Sequence, residues 1–119
     1  MGQERRQFIR VHARLTTLIK PLKTAKVRRA LTKDISGIGV CLVTEELCEL
    51  GTPLEVEMRL PDYDAPVKFL GQVMWSKPIG EPRKGQPPTA EIGLRVVSID
   101  PKDRSLLMQY AKLNAPRTP

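Results

Sequence analysis

Aromatic residues are scarce in this chain: one tryptophan, two tyrosines and two phenylalanines among 119 residues. Five rings do not make a stacking platform of the kind that sheet-based nucleic-acid binders need. Histidine and cysteine are scarcer still, with His12, Cys41 and Cys48 as the whole supply. Catalytic zinc and serine–histidine chemistry therefore have almost nothing to work with, and an enzyme ranks last among the possible functions. The cysteines form no C-x-x-C pair. Cys41 lies in an apolar run and reads as a small core residue, and His12, between Val11 and Ala13, reads as a strand surface residue. No apolar run approaches the ~20 residues of a membrane span. The start, Met1-Gly2-Gln3-Glu4-Arg5-Arg6, lacks the apolar stretch of a signal peptide and the Ser or Thr of a myristoylation signal. The expectation is a soluble, cytoplasmic protein.

What is present is positive charge, unevenly placed. There are 20 basic against 13 acidic residues, a net charge of +7. Such a balance points to an anionic partner only weakly. The distribution says more: Arg5, Arg6, Arg10, Arg14, Lys20, Lys23, Lys26, Arg28, Arg29 and Lys33 all precede Asp34. With 40% hydrophobic and 28% charged residues, the chain is globular and of single-domain size.

Period-two alternation dominates, which argues for antiparallel strands. Val11, Ala13, Leu15, Thr17 and Ile19 mark a first strand, ended by Pro21. A second covers Ala25 to Ile35, and a third runs from Gly39 to Thr44, where the unbroken apolar set predicts burial on both faces. Leu54, Val56, Met58 and Leu60 mark a fourth, followed by a turn at Pro61-Asp62-Tyr63-Asp64. Val67, Phe69, Gly71, Val73 and Trp75 form one face of a fifth, and Ala90, Ile92, Leu94 and Val96 mark a sixth. Between the last two, Lys77 to Thr89 is rich in proline and glycine and reads as a long loop. Asp100-Pro101 is a helix cap with proline at the first helical position. Leu106, Leu107, Tyr110, Ala111 and Leu113 give the following helix an apolar face, and Asn114-Ala115-Pro116 ends it. The predicted fold is all-β with one C-terminal helix, a six-stranded antiparallel β-barrel whose closure removes exposed edges.

Two short motifs stand out against this background. Arg6-Gln7-Phe8-Ile9-Arg10 places two guanidinium groups on a segment that reads as a loop, and such groups grip phosphates and the acceptor edge of guanine. Asp34-Ile35-Ser36-Gly37-Ile38-Gly39 is a polar, glycine-bearing turn entering an apolar run. Together they resemble the PilZ domain family, whose signature is R-x-x-x-R followed by D/N-x-S-x-x-G. Gly71-Gln72-Val73-Met74-Trp75 is similar to the family's G-x-V-x-W, and Glu91-Ile92-Gly93-Leu94-Arg95-Val96 to its closing strand. The resemblance spans nearly the whole chain, as one domain over 1–119. It divides into a mobile ligand-clasping segment (1–10), a barrel (11–99) and a helix (100–114).

The resemblance implies a non-catalytic receptor for the bacterial second messenger cyclic di-GMP, passing its signal to an unidentified protein. It implies that Arg6 and Arg10 clasp the ligand's phosphates and guanine. An aspartate sits badly beside a phosphate but accepts the N1–H and N2–H of guanine, so Asp34 is assigned to the base. Ser36 is a donor to the ligand, and Gly39 permits close backbone approach; Gly37 is loop geometry only. Trp75 either stacks on a purine at the barrel mouth or packs the barrel. Arg5, directly before the motif, adds a third guanidinium, and in the family such an arginine accompanies two ligand molecules per chain. Lys68 and Arg95 read as outward strand residues. Two other readings stand beside the receptor: a PilZ-like docking adaptor without ligand binding, and a small basic barrel that binds nucleic acid.

Overall fold

The computed structural model describes residues 10–36, 38–45, 48–80, 85 and 89–114. Its elements are β1 (Arg10–His12), β2 (Thr16–Pro21), β3 (Arg28–Ser36), β4 (Gly39–Thr44), β5 (Pro53–Met58), β6 (Val67–Ile79), β7 (Thr89–Ile99) and α1 (Pro101–Leu113). The strands follow the order β1-β3-β2-β5-β6-β7-β4, and β4 returns to pair with β3. Six antiparallel strands thus close into a barrel, and β1 is added outside the ring. Ile19, Ile35, Leu42, Leu54, Val56, Met58, Val67, Val73 and Ile92 fill the interior. The lumen is a packed core, so any ligand must bind on the outside.

The predicted first strand is two strands. Its alternation is right, with Val11, Leu15, Thr17 and Ile19 all buried, but the ladder breaks at Ala13–Leu15. Here β3 changes partner along one edge. Arg28–Leu31 pair with β2, and Asp34–Ser36 pair with β1. Thr32 fills the gap: its hydroxyl accepts from Leu15 N at 2.7 Å and donates to Ala13 O. Backbone bonds from Ala13 N to Lys33 O (3.2 Å) and Thr32 N to Leu15 O (3.1 Å) complete the hand-over. Arg10, expected in a loop, opens β1.

On its other edge β3 carries a bulge. Thr32 pairs with Leu42 and Asp34 with Cys41, leaving Lys33 as the extra residue. A second bulge lies in β6, where Val73 pairs with Leu94 and Trp75 with Gly93, so that Met74 is extra. Each bulge shifts the inward–outward alternation by one residue. Trp75 therefore leaves the buried face that Val67, Phe69, Gly71 and Val73 share, and faces outwards. Burial in β4 alternates rather than covering both faces: Val40, Leu42 and Thr44 are buried, and Cys41 and Val43 are half-buried. The segment predicted as loop from Lys77 is strand as far as Ile79, paired with Thr89–Glu91. Only β7 among the described strands accompanies β6 beyond Val73, since β5 pairs with it as far as Gln72.

The helix starts and stops where its caps dictate. Asp100 Oδ1 accepts from Lys102 N at 2.9 Å, Pro101 takes the first helical position, and Asn114 closes the end through Tyr110 O. Leu107 and Ala111 are buried and Leu106 and Tyr110 half-buried, but Leu113 is exposed. Asp103 Oδ2 accepts from Lys68 N at 3.3 Å and ties the helix to the start of β6. No described helix is long and apolar enough to cross a membrane.

Thr32→Val keeps the shape of the side chain but deprives Leu15 N–H and Ala13 C=O of their partner. An unsatisfied buried backbone group costs about 1–3 kcal/mol, so chemical denaturation of this variant will show a stability loss of about 2 kcal/mol or more with an unchanged m-value.

Candidate functional site

The register of the strands gathers outward-facing residues into two rows that cross five strands. In the first, Arg10 (β1) pairs with Ser36 (β3), the turn brings Gly39 (β4) beside Ser36, and Gly39 pairs with Arg95 (β7), which pairs with Gln72 (β6). In the second, His12 pairs with Asp34, Asp34 with Cys41, Cys41 with Gly93, and Gly93 with Trp75. The rows line an open groove of about 370 Å³, bounded by Arg10, Asp34, Ser36, Gly39, Trp75 and Arg95 among others. Five residues singled out in the sequence, Arg10, Asp34, Ser36, Gly39 and Trp75, are thus brought together. Arg5 and Arg6 lie outside the described residues, as does Gly37. The groove is on the barrel's side wall, not at its mouth.

Each of these side chains has an identifiable local role. Asp34 faces outwards because of the Lys33 bulge, and its Oδ1 meets Nδ1 of His12. Ser36 builds the turn: its hydroxyl donates to Gly39 O (3.2 Å) and accepts from Gly39 N (3.3 Å). That satisfies it without a ligand. Gly39 answers a packing demand, because a Cβ there would stand 2.6 Å from Leu94 O of β7. Ile38 O also accepts from Val96 N at 3.0 Å, fastening the turn to β7.

Trp75 lies over Gly93. A Cβ at residue 93 would fall inside the indole, onto its nitrogen and adjoining carbons. The ring is 41% exposed, and Lys77 Nζ stands 5.7 Å from its centroid, within cation–π range. Glycine is the residue that lets the ring rest on the strand. Sequence reading named Trp75 without Gly93, although the glycine stands in a strand interior where bulges and close approaches are the usual causes.

Beneath one end of the groove is a polar cluster that sequence reading missed. Glu91 is buried and receives Lys33 Nζ at 3.3 and 3.2 Å on its two oxygens. Cys41 Sγ donates to Glu91 Oε1 at 3.5 Å. Cys41 is thus a half-buried outer-face residue rather than part of the core. Burial, then the hydrogen bond to Glu91, pushes its thiol up to about 11, which keeps it protonated and unreactive at neutral pH. For Glu91, burial is the largest influence and acts upwards. The hydrogen bonds from Lys33 and Cys41 and the lysine charges outweigh it and hold the carboxyl below its ordinary 4.5. The stabilisation this group gives is therefore present above the ordinary value and is lost as pH falls through the lower, folded one.

A larger groove of about 700 Å³ lies elsewhere, between β2, β5 and β6 and the start of α1. It holds the cross-strand pairs Lys20–Glu55 (2.8 Å) and Lys68–Glu57 (3.5 Å) and none of the motif residues. Among the described residues, no cluster of histidine, cysteine and carboxylate side chains could hold a metal.

Comparison with known proteins bears on the family and the fold. The family model for the PilZ domain matches residues 4–113. Among solved structures, the Bacillus subtilis inhibitor of motility (MotI/DgrA) superposes with a TM-score of 0.70 at 25% identity, covering 92% of this chain and 50% of that one. The chain thus spans half the length of that protein. The PilZ domain of YcgR from Escherichia coli, solved with c-di-GMP, gives a TM-score of 0.71 at 15% identity and covers 92% and 91%. No curated protein sequence matches the chain.

Gly93→Ala will displace the Trp75 ring from the strand. The single tryptophan makes this visible by fluorescence, as a red-shifted and more readily quenched emission, while Trp75→Leu will remove the ring-current shift of the Gly93 α-protons in the unmodified protein.

Proposed function

The chain belongs to the PilZ domain family, and from that premise we propose that it is a non-catalytic receptor for cyclic di-GMP in the bacterial cytoplasm. The observation that carries the reading is the register of β1 on β3, which sets Arg10 against Ser36 and the Asp34 position beside it. Two motifs far apart in the sequence thereby share one groove. Support also comes from the YcgR domain, whose solved structure contains c-di-GMP.

In this reading the ligand lies along the outer wall of the barrel. Arg10, with Arg5 and Arg6 of the preceding segment, binds phosphate and guanine. The Asp34 carboxylate, held by His12, accepts the guanine N1–H and N2–H. Ser36 keeps the turn in shape and offers its hydroxyl, and Gly39 lets the turn lie close to β7. The exposed face of Trp75 stacks on a purine, a contact worth ~1–3 kcal/mol in nucleic-acid systems. Two ligand molecules per chain, with interleaved guanines and four phosphate charges, suit three neighbouring arginines. Binding draws the N-terminal segment over the ligand. The ordering entropy of that closure is offset by charge-assisted hydrogen bonds of ~1.5–3 kcal/mol each, and the closed surface is read by a partner protein.

Isothermal calorimetry with cyclic di-GMP, with GTP and cyclic AMP as controls, tests the reading and returns the stoichiometry, expected to be two per chain. Arg10→Ala will weaken binding at least tenfold, the loss of about 1.4 kcal/mol, with little change in stability because the side chain is exposed. Asp34→Ala will also weaken it and will reduce the preference for guanine over adenine analogues. Wild-type affinity in Arg10→Ala would remove the site.

Closure is tested separately by hydrogen exchange. Backbone amides of residues 3–9 will exchange fast without ligand and become protected when cyclic di-GMP is added, whereas that of Arg10, already in β1, will change less. Equal protection in both states would place the switch elsewhere.

A further inference from the structure

The charges around the groove differ in how they are answered. Asp34 meets His12 and Glu91 meets Lys33, so each carboxylate already has a partner side chain. Arg10 and Arg95 are both exposed and both line the groove. Among the described residues, neither has a carboxylate within ion-pair distance. They are the two ends of a trough within one cross-strand row, Arg10–Ser36–Gly39–Arg95, with only a small side chain and a glycine between them. Three strand spacings separate their Cα atoms by about 14 Å. An extended arginine reaches about half that distance, so each guanidinium can hold its own anion, Arg10 on the Ser36 side of the trough and Arg95 on the β6 side, where Gln72 holds it.

Arg95 is also oriented. Its Nη2 donates to Gln72 Oε1 at 3.1 Å. The amide fixes the fork without neutralising it, and the other guanidinium N–H groups stay available. The neighbouring row, one side-chain spacing away, carries the acceptor Asp34 at one end and the Trp75 ring at the other. One row is thus suited to anions and the next to a base.

We infer that Arg95 is a second phosphate anchor, acting across the groove from Arg10, and that Gln72 is its positioning residue. The inference rests on the receptor reading and extends it to the β7 side of the site, outside both sequence motifs. A ligand with two phosphodiesters engages both anchors, whereas a single-phosphate nucleotide engages one. Arg95 therefore sets the preference for a cyclic dinucleotide over cyclic GMP.

The test is calorimetry or fluorescence titration with cyclic di-GMP and cyclic GMP on the full chain. Arg95→Leu will weaken cyclic di-GMP binding about tenfold or more and shrink its advantage over cyclic GMP. Arg95→Lys, which keeps the charge and loses the fork, will recover part of the affinity. Gln72→Leu will produce a smaller loss, about threefold, with an unchanged melting temperature. Arg95→Leu and Arg95→Lys both binding as the unmodified protein does would overturn the inference while the receptor reading stands. An unmodified protein that binds no cyclic di-GMP would overturn both.

Discussion

Everything on the groove side of the barrel depends on how β3 is handled at Thr32 and Lys33. One edge of the strand changes partner there, and the opposite edge admits an extra residue. The partner change brings β1, and with it Arg10 and His12, alongside Asp34 and Ser36. The extra residue turns Asp34 outwards while Ile35 remains in the core. A regular strand could not do both, because strict alternation would send Asp34 and Ile35 to the wrong faces. The Thr32 hydroxyl makes the arrangement affordable by supplying the two hydrogen bonds that the interrupted ladder omits.

The second bulge does for the tryptophan what the first does for the aspartate. Without Met74 as the inserted residue, the Trp75 ring would compete with Val73 and Leu94 for a lumen that is already full. With it, the ring lies on Gly93 and closes one side of the groove. Two of the barrel's local irregularities therefore account for both chemically distinctive side chains of the site. Bulges beside functional residues are a common means of re-aiming a side chain without altering the fold.

Much of this was legible in the chain. Alternation located the strands, Asp100-Pro101 located the helix, and the two motifs, with the G-x-V-x-W stretch, named five residues that the fold brings to one groove. What stayed hidden depends on pairing between distant strands. Alternation counts by twos and carries no mark where a residue is inserted, so Trp75 was assigned to the face of Val73. Prolines after Lys77 suggested a loop, yet Pro78 sits in the outer part of a two-stranded extension where a missing donor is tolerated. Arg95 looked like any outward strand residue, because its place opposite Arg10 exists only once β4 lies between β3 and β7. Cys41 looked apolar by its neighbours in sequence, while its neighbours in space are Glu91 and Lys33.

The extension of β6 past the end of β5 also has a bearing on solubility. From Met74 to Ile79 one edge of β6 has no strand beside it among the described residues, and an open edge is a template for intermolecular pairing and aggregation. Three features of that stretch work against it. The bulge at Met74 disrupts a regular ladder, Lys77 places a charge on the edge, and Pro78 withholds a backbone donor. The proline-bearing stretch thus carries features that disfavour regular edge pairing where, among the described residues, β6 has no strand on that side.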